Sequence, residues 1–441
     1  MKTVFKVFVA VTALLVMAAA LVWFLNTRDE TTADFSAVNT TSAADPVQIE
    51  RGAYLARAGN CAACHTARGG AAYAGGLGIG TPFGTVFTSN LTPDVQSGIG
   101  SWSSADFWRA MHNGRSKSGR LLYPVFPYTN YTQITREDSD ALLAYLKSLP
   151  VVAQANTAHA IDFPYNSQAA LAVWRALFFS PGVYKREANR SAEWNRGAYL
   201  VDSLGHCNAC HTARNALGAS DTLNLAGGLI PIQNWYAPSL LSKLEAGVGD
   251  WPQHSIVSLL KNGINERASV IGPMAKVVRG STQYLTGADL NAMATFLKAL
   301  PEDSGPKEAD IAVMAKTTSN TSGAVSTSTA KQGAKLYDQH CAQCHGSNGQ
   351  GVANAYPALA GNRAVVMQQT ANLVQIVLNG GYAPATEGNP RPYGMPPFVL
   401  VLNDNDIATV LTHIRGSWGN EGGTVSGLEV NRIRAGGRAG R

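Results

Sequence analysis

A chain of 441 residues is too long for one compact domain and predicts roughly three at the usual size of about 100 to 200 residues. It is 45% hydrophobic and 15% charged, with 44 Gly and 20 Pro, which suits packed cores joined by many turns and excludes a coiled coil, a collagen-like chain or wholesale disorder. The 35 Lys plus Arg against 29 Asp plus Glu leave a formal +6 without a clustered basic stripe, so no nucleic-acid partner is expected.

At the start, Lys2 and Lys6 precede an uncharged run from Val7 to Leu25, just long enough to span a bilayer. Ala18 to Ala20 offers a small-residue cleavage site, but Leu21 to Leu25 carry the apolar run past it. Residues 1–25 are therefore read as a signal anchor in preference to a cleaved signal peptide. Either way the two lysines stay in the cytoplasm and the rest is exported, in a bacterium to the periplasmic face of the cytoplasmic membrane. Residues 26–45 read as a polar tether. A Ser/Thr-rich linker is expected over 304–330, centred on KTTSNTSGAVSTST, and a Gly- and Arg-rich tail over 419–441 is expected to pack at its start and fray at its end.

All six cysteines fall in three pentapeptides: CAACH at 61–65, CNACH at 207–211 and CAQCH at 341–345. Cys-x-x-Cys-His is the attachment signature of c-type haem, in which two thiols form thioethers to the porphyrin and the His becomes the proximal iron ligand. With 9 His in 441 residues, a His after all three by chance is about a one-in-a-hundred-thousand event. A redox dithiol would not need the His, and a zinc site would pair two motifs at shorter spacing. Three covalently attached haem c groups are thus expected, on Cys61 and Cys64, Cys207 and Cys210, and Cys341 and Cys344, with His65, His211 and His345 on the iron.

The flanks repeat as well: RGAYLARAGNCAACHTAR at 51–68 returns as RGAYLVDSLGHCNACHTAR at 196–214 and faintly as QGAKLYDQHCAQCHG at 332–346. A helix leads into each motif, with Ile49, Ala53 and Ala56 on one face of the first and Gly59-Asn60 ending it. An amphipathic helix closes each copy: Leu142, Tyr145, Leu146 and Leu149 before Pro150; Leu290, Met293, Leu297 and Leu300 before Pro301; Ile407, Val410, Leu411 and Ile414. The predicted fold is all-α, with domains at 46–155, 191–303 and 331–418 and a connector at 156–190. Gly-rich strings such as AGGLGIGTPFG read as turns.

A low-spin haem needs a ligand on its far face, commonly Met. The exported part has six, and Met274 in GPMAKVV and Met395 in GMPPF stand out because each adjoins Pro in a loop extended enough to aim one side chain inward. Met293, Met314 and Met367 read as core or surface residues. The first copy breaks the pattern, with Phe126 roughly where Met274 would align. Met111 and His112 are the nearest alternatives, Met111 at an apolar helix position and His112 at an exposed one, and an open first haem is the third possibility.

At these residues the chain resembles the triple-haem cytochrome c subunits of membrane-bound dehydrogenases acting on alcohol, aldehyde, gluconate and related substrates. The resemblance spans about Ile49 to Ser426. It rests on RGAYLARAGNCAACHTA, the AGG and TPFG-T-FTSN-TPD segment at 74–94, GIGSWS at 98–103, AEWNRGAYLVDSLGHCNACHTARN at 192–215, GPMAKVV, STQYLT and IRGSWGN. It implies three tandem class I cytochrome c-like domains, each a small helical bundle around one covalent haem, after an N-terminal membrane helix. It also implies a catalytic partner subunit of flavin, pyrroloquinoline quinone (PQQ) or molybdenum type, and ubiquinone or a terminal oxidase as acceptor. It implies that Cys61, Cys64, Cys207, Cys210, Cys341, Cys344, His65, His211 and His345, with Met274 and Met395, serve as ligands. GLIPIQNWYAPSL and INERASVIGPM depart from the family pattern, and the tail lacks an apolar amphipathic stretch, which leaves the N-terminal helix as the membrane attachment.

The expected role is that of an electron-transfer subunit, not a catalyst by itself, since no nucleotide loop, Ser/His/Asp order or paired-carboxylate site stands out. A free-standing multihaem enzyme using an open first haem, or a partnerless electron shuttle, are the alternatives. Six propionates would offset most of the +6, so charge does not decide among them.

Overall fold

A computed structural model describes residues 2–28, 45–220, 224–302, 326–353 and 355–439. Most of the expected tether, most of the expected linker and Met314 lie outside the described residues. The chain forms two compact units: the first holds residues 1–56, 61–185 and 215–219, and the second holds 57–60, 186–214 and 220–441.

In the first unit, the apolar N-terminal run is a single helix, Lys2–Thr27, 26 residues long and exposed until its last two turns. At 1.5 Å per residue it measures about 39 Å, longer than a hydrocarbon core of about 30 Å. A helix leads to the first motif over Pro46–Ala58, and the closing helix spans Arg136–Ser148, capped by Thr135 and burying Leu142 and Leu146 as its period predicts. The two cross at Gly52, where a Cβ would sit 1.9 Å from the Ala141 carbonyl oxygen. Only glycine allows that approach. Arg51, beside it, pairs with Asp138 at 2.6 Å.

The second unit repeats the device twice. The helix Ala192–Tyr199 crosses the closing helix Gly287–Lys298 at Gly197, whose Cβ would meet the Ala292 oxygen at 1.9 Å, and Arg196 grips Asp289 with two bonds of 2.8 and 2.7 Å. The helix Thr327–His340 meets the closing helix Asp404–Arg415 more loosely, a Cβ on Gly333 lying 2.7 Å from the His413 Cβ. In the last, Ile407, Val410, Leu411 and Ile414 are all buried, as predicted, with Leu336, Tyr337, Val374 and Leu378 packed around them.

The three leading helices differ in how they reach their motifs, and residue count explains it. From the crossing pair to the first Cys there are nine residues in the third copy (Gln332 to Cys341), ten in the first (Arg51 to Cys61) and eleven in the second (Arg196 to Cys207). The nine-residue version runs straight in. The ten-residue version ends on Asn60 in a left-handed conformation, φ 51°. The eleven-residue version absorbs its extra residue as a π-helical turn, Leu200–Leu204, closed by a bond from the Gly205 N–H to the Leu200 carbonyl, before His206 turns left-handed at φ 37°.

The all-α expectation is corrected by three small antiparallel sheets among the described residues. The string read as turns forms a hairpin, Gly78–Thr81 with Gly84–Phe87, joined to a third strand, Ala160–Ile161. Thr81 makes the two-residue turn work: its hydroxyl accepts from the Phe83 N–H and donates to the Gly84 carbonyl. Gly84, at φ 116°, lies where a Cβ would meet the Ala160 carbonyl oxygen at 2.3 Å. The other sheets are Gly228–Ile230 with Trp235–Ala237, inside the segment that departs from the family pattern, and Gly381–Tyr382 with Gly394–Met395.

Three boundaries also differ from expectation. Part of the connector is structured in the first unit, as the strand at Ala160 and a helix at Gln168–Phe178. Thr327 to Ala330, read as linker, form the first turn of a helix capped by the Ser326 hydroxyl. Within the expected tail, Gly427–Ala439 is a helix, with Val430 fully buried and Arg434 bonded to Asp404 and to the Val399 and Leu402 carbonyls, and residues 440–441 lie outside the described residues. Its glycines and arginines hid a helix that docks through Val430 in the core and Ile433 against it, with the Arg434 contacts beside them.

Within the second unit the second and third copies are locked together. The Asn372 side chain exchanges two hydrogen bonds with the Tyr236 backbone, at 2.8 and 2.9 Å, as a neighbouring strand would. Arg363 bonds the Gly247 carbonyl and pairs with Asp250 at 2.6 Å, and the Thr386 hydroxyl donates to the Asn262 carbonyl.

Candidate haem sites

Each pentapeptide occupies about one helical turn: Cys61–His65, Asn208–His211 after Cys207, and Ala342–His345 after Cys341. Spacing of three and four residues puts both thiols and the imidazole around that turn. Among the described residues no two cysteines are joined in a disulfide. Burial pushes the Cys61 and Cys207 thiols up to about 12 and Cys341 up to about 11, so all three are protonated at neutral pH.

The three histidines share one arrangement. His65 Nδ1 lies 2.8 Å from the Ser89 carbonyl oxygen, His211 Nδ1 2.7 Å from that of Pro238, and His345 Nδ1 2.9 Å from that of Pro357. A carbonyl only accepts, so each Nδ1 carries the proton and donates, which leaves Nε2 as the nitrogen for a metal. Burial lowers all three imidazoles, keeping them neutral. Each histidine is also held by its own carbonyl, which accepts from a glycine N–H: Gly75 at 2.9 Å, Gly227 at 2.9 Å and Gly351 at 2.8 Å. All three glycines have positive φ, at 75°, 84° and 67°. Sequence reasoning missed these six backbone partners. The repeated AGG of 74–76 and 226–228 was the one available signal.

The residues expected as sixth ligands are placed differently in the three copies. In the third copy Met395 is half-buried and packs, as Cys341 does, against the same apolar core, on a strand paired with Gly381. Tyr356, raised by burial and by the adjacent Cys344 thiol, packs on Tyr393 at 5.2 Å beside it. In the second copy Met274 is half-buried in the first turn of the helix Gly272–Gly280, not on an extended loop as expected. Pro273 starts that helix, where its missing N–H costs nothing, so proline here begins a helix instead of straightening a loop. Met293 and Met367 are buried in the core.

In the first copy Tyr131 is buried close to Cys61 and Cys64, both of which raise its hydroxyl further, and Phe126 packs on it at 5.4 Å. Met111 is buried on the helix Ser104–Asn113. His112 is half-buried instead of exposed: it stacks flat on Trp108, 4.6 Å between centroids, and its Nδ1 lies 2.7 Å from the Thr132 carbonyl oxygen.

Two thiols and an oriented neutral imidazole on one turn, repeated three times, are the donor set of a covalently attached iron porphyrin, and the residues present fit that group. The fold and sites define a c-type cytochrome. The cytochrome c family model matches residues 49–150 and 330–418. The chain is 39% identical over 408 residues to the cytochrome c subunit of a quinone alcohol dehydrogenase from Gluconacetobacter polyoxogenes, covering 90% of this chain and 86% of that one. It is 36% identical over 415 residues to the gluconate 2-dehydrogenase cytochrome c subunit of Pantoea cypripedii, covering 91% and 93%. Identity to the fructose dehydrogenase cytochrome subunit of Gluconobacter japonicus is 35% over 418 residues, covering 90% and 85%. The chain belongs to this family of dehydrogenase cytochrome c subunits, and membership brings covalently bound haem c.

Proposed function

We propose that the chain carries three haems and passes electrons from the catalytic subunit of a membrane-bound dehydrogenase, of flavin, PQQ or molybdenum type, to ubiquinone or a terminal oxidase. The observation that carries this reading is the threefold recurrence of one built arrangement: thiol pair, imidazole, carbonyl on Nδ1, glycine N–H on the histidine carbonyl. Bound haem iron would supply one-electron exchange without consuming a proton or a bond. Cys61 and Cys64, Cys207 and Cys210, and Cys341 and Cys344 would hold the three groups, with His65, His211 and His345 as proximal ligands. Met274 and Met395 would serve as distal ligands of the second and third. The carbonyls of Ser89, Pro238 and Pro357 keep each imidazole in one tautomer and one orientation, which limits rearrangement when charge arrives.

The polar lock within the second unit supports a fixed separation between two of these sites, as a relay needs. The long apolar N-terminal helix supports attachment to the cytoplasmic membrane with the rest on its periplasmic face. The test is mild detergent extraction of the membranes, with covalent haem counted per chain and co-purifying protein identified. Three haems and a stoichiometric subunit with an organic or molybdenum cofactor are expected. Two haems, or a lone cytochrome after gentle handling, would refute the proposal.

A further inference from the structure

The helix Gln168–Phe178, in the first unit, breaks the rule that a surface helix shows water a polar face. Its sequence, QAALAVWRALF, contains one ionisable residue, and that residue is the one turned inward. Arg175 is 3% exposed: its Nε donates to the Asn26 Oδ1 at 2.8 Å, its Nη1 to the Asn113 carbonyl at 2.5 Å, and its guanidinium lies over Phe179 and Tyr128. Leu171, Arg175 and Phe179 make the buried stripe, one helical turn apart. The opposite stripe is Ala169, Val173 and Leu177, with Val173 48% and Leu177 63% exposed. Exposed Leu217 adjoins it, since the Trp174 indole donates to the Leu217 carbonyl at 2.9 Å.

The occupant of that face is indicated by what the helix is tied to. Asn26, in the last turn of the N-terminal helix and buried, donates from Nδ2 to the Ala172 carbonyl at 2.9 Å, and its own carbonyl accepts from Arg115 at 3.1 Å. The point where the apolar helix ends is therefore within hydrogen-bond distance of the middle of Gln168–Phe178. Trp23 and Phe24, just before that point, are exposed, as aromatic residues at a bilayer boundary are. At the start of Gln168–Phe178, the Gln168 side chain bonds both backbone groups of Leu121, next to a loop that carries Arg115, Lys117 and Arg120 and no acid. An uncharged apolar stripe flanked by basic side chains has the composition of an interfacial membrane helix.

We propose that Gln168–Phe178 is a second membrane contact, lying in the plane of the bilayer with Val173 and Leu177 in the acyl boundary and the 115–120 loop against anionic headgroups. The inference rests on the N-terminal helix being retained as an anchor. A second contact fixes the tilt of the first haem site over the membrane, which one spanning helix alone would not do.

The experiment uses the full-length haem-loaded protein in vesicles of phosphatidylethanolamine and phosphatidylglycerol. Spin labels are placed singly by Val16→Cys, Leu177→Cys, Val173→Cys and Glu137→Cys, the absorbance spectrum confirming that each variant holds its haems. Depth is read as accessibility to oxygen relative to a water-soluble nickel complex. The expected ratio is highest at position 16 and at least fivefold higher at 173 and 177 than at 137. Labels at 173 and 177 as water-accessible as that at 137, with position 16 deep, would overturn this inference and leave the anchor standing. Labels shielded from both reagents would mean a protein partner covers the face, and would overturn it too. A water-accessible position 16 would overturn the anchor and this inference together.

Discussion

Replacing Gly197 with Ala adds one methyl group where the chain has no room for it. The Cβ would stand 1.9 Å from the Ala292 carbonyl oxygen and 2.8 Å from the Phe296 Cβ, both on a closing helix. An ordinary contact needs about 3.4 Å, so the two helices must part by roughly 1.5 Å or tilt, loosening the Arg196 to Asp289 pair beside the crossing. Overpacking of this kind costs about 3 kcal/mol, some two orders of magnitude in the folding equilibrium. Gly52→Ala should cost the same, its Cβ meeting Ala141 at the same 1.9 Å. Gly333→Ala should cost about 1 to 2 kcal/mol, because its nearest neighbour is 2.7 Å away. Gly287→Ala is the internal control: nothing lies within 4 Å, the position is helical, and the change should stabilise by about 0.5 kcal/mol. The assay is guanidinium unfolding of each holoprotein followed by haem absorbance. Equal midpoints for Gly197→Ala and Gly287→Ala would refute the claim that close helix crossing sets the glycine in each repeat.

Three further outcomes follow from the same geometry. Met395→His should lower one haem potential by on the order of 100 mV and leave the others in place, read by potentiometric titration; an unchanged potential would remove Met395 as a ligand. Asp202, in the π-helical turn, is raised to about 7 by burial, so the folded state holds its proton more tightly than the unfolded chain; stability from this group is full below about pH 4 and is lost as pH rises through about 7. Asp202→Asn should then match the parent at pH 4 and exceed it at pH 8 in denaturation midpoint, and a deficit at pH 8 would reverse the sign of the argument. Arg175→Leu strands the Asn113 carbonyl and the Asn26 amide oxygen and should destabilise the first unit by about 2 to 4 kcal/mol, checked by its unfolding midpoint.

What could be read before the fold was known is local chemistry. Cys-x-x-Cys-His is complete within one turn, so its ligands need no tertiary information to be recognised. The closing helices were legible because apolar residues at helical spacing, as in Ile407, Val410, Leu411 and Ile414, leave one packing answer. The hairpin at 78–87 was not, because its glycines look like turn residues and it is held by a strand some seventy residues away. His112 misled for a related reason: alignment set it on the outer face of its helix, whereas Trp108 and the Thr132 carbonyl cover it.

By itself, then, the sequence determined how many attachment motifs there are, which side chains they offer and which helices lead in and close. Only the tertiary structure decided the rest: the Ser89, Pro238 and Pro357 carbonyls that orient the imidazoles, and the asparagine that joins the N-terminal helix to its neighbour. The physical reason is that every non-proline residue carries the same backbone donor and every residue the same acceptor. Their identity as partners is a matter of position, and position is set by packing between segments 12 to 27 residues apart around each histidine and far more around Asn26.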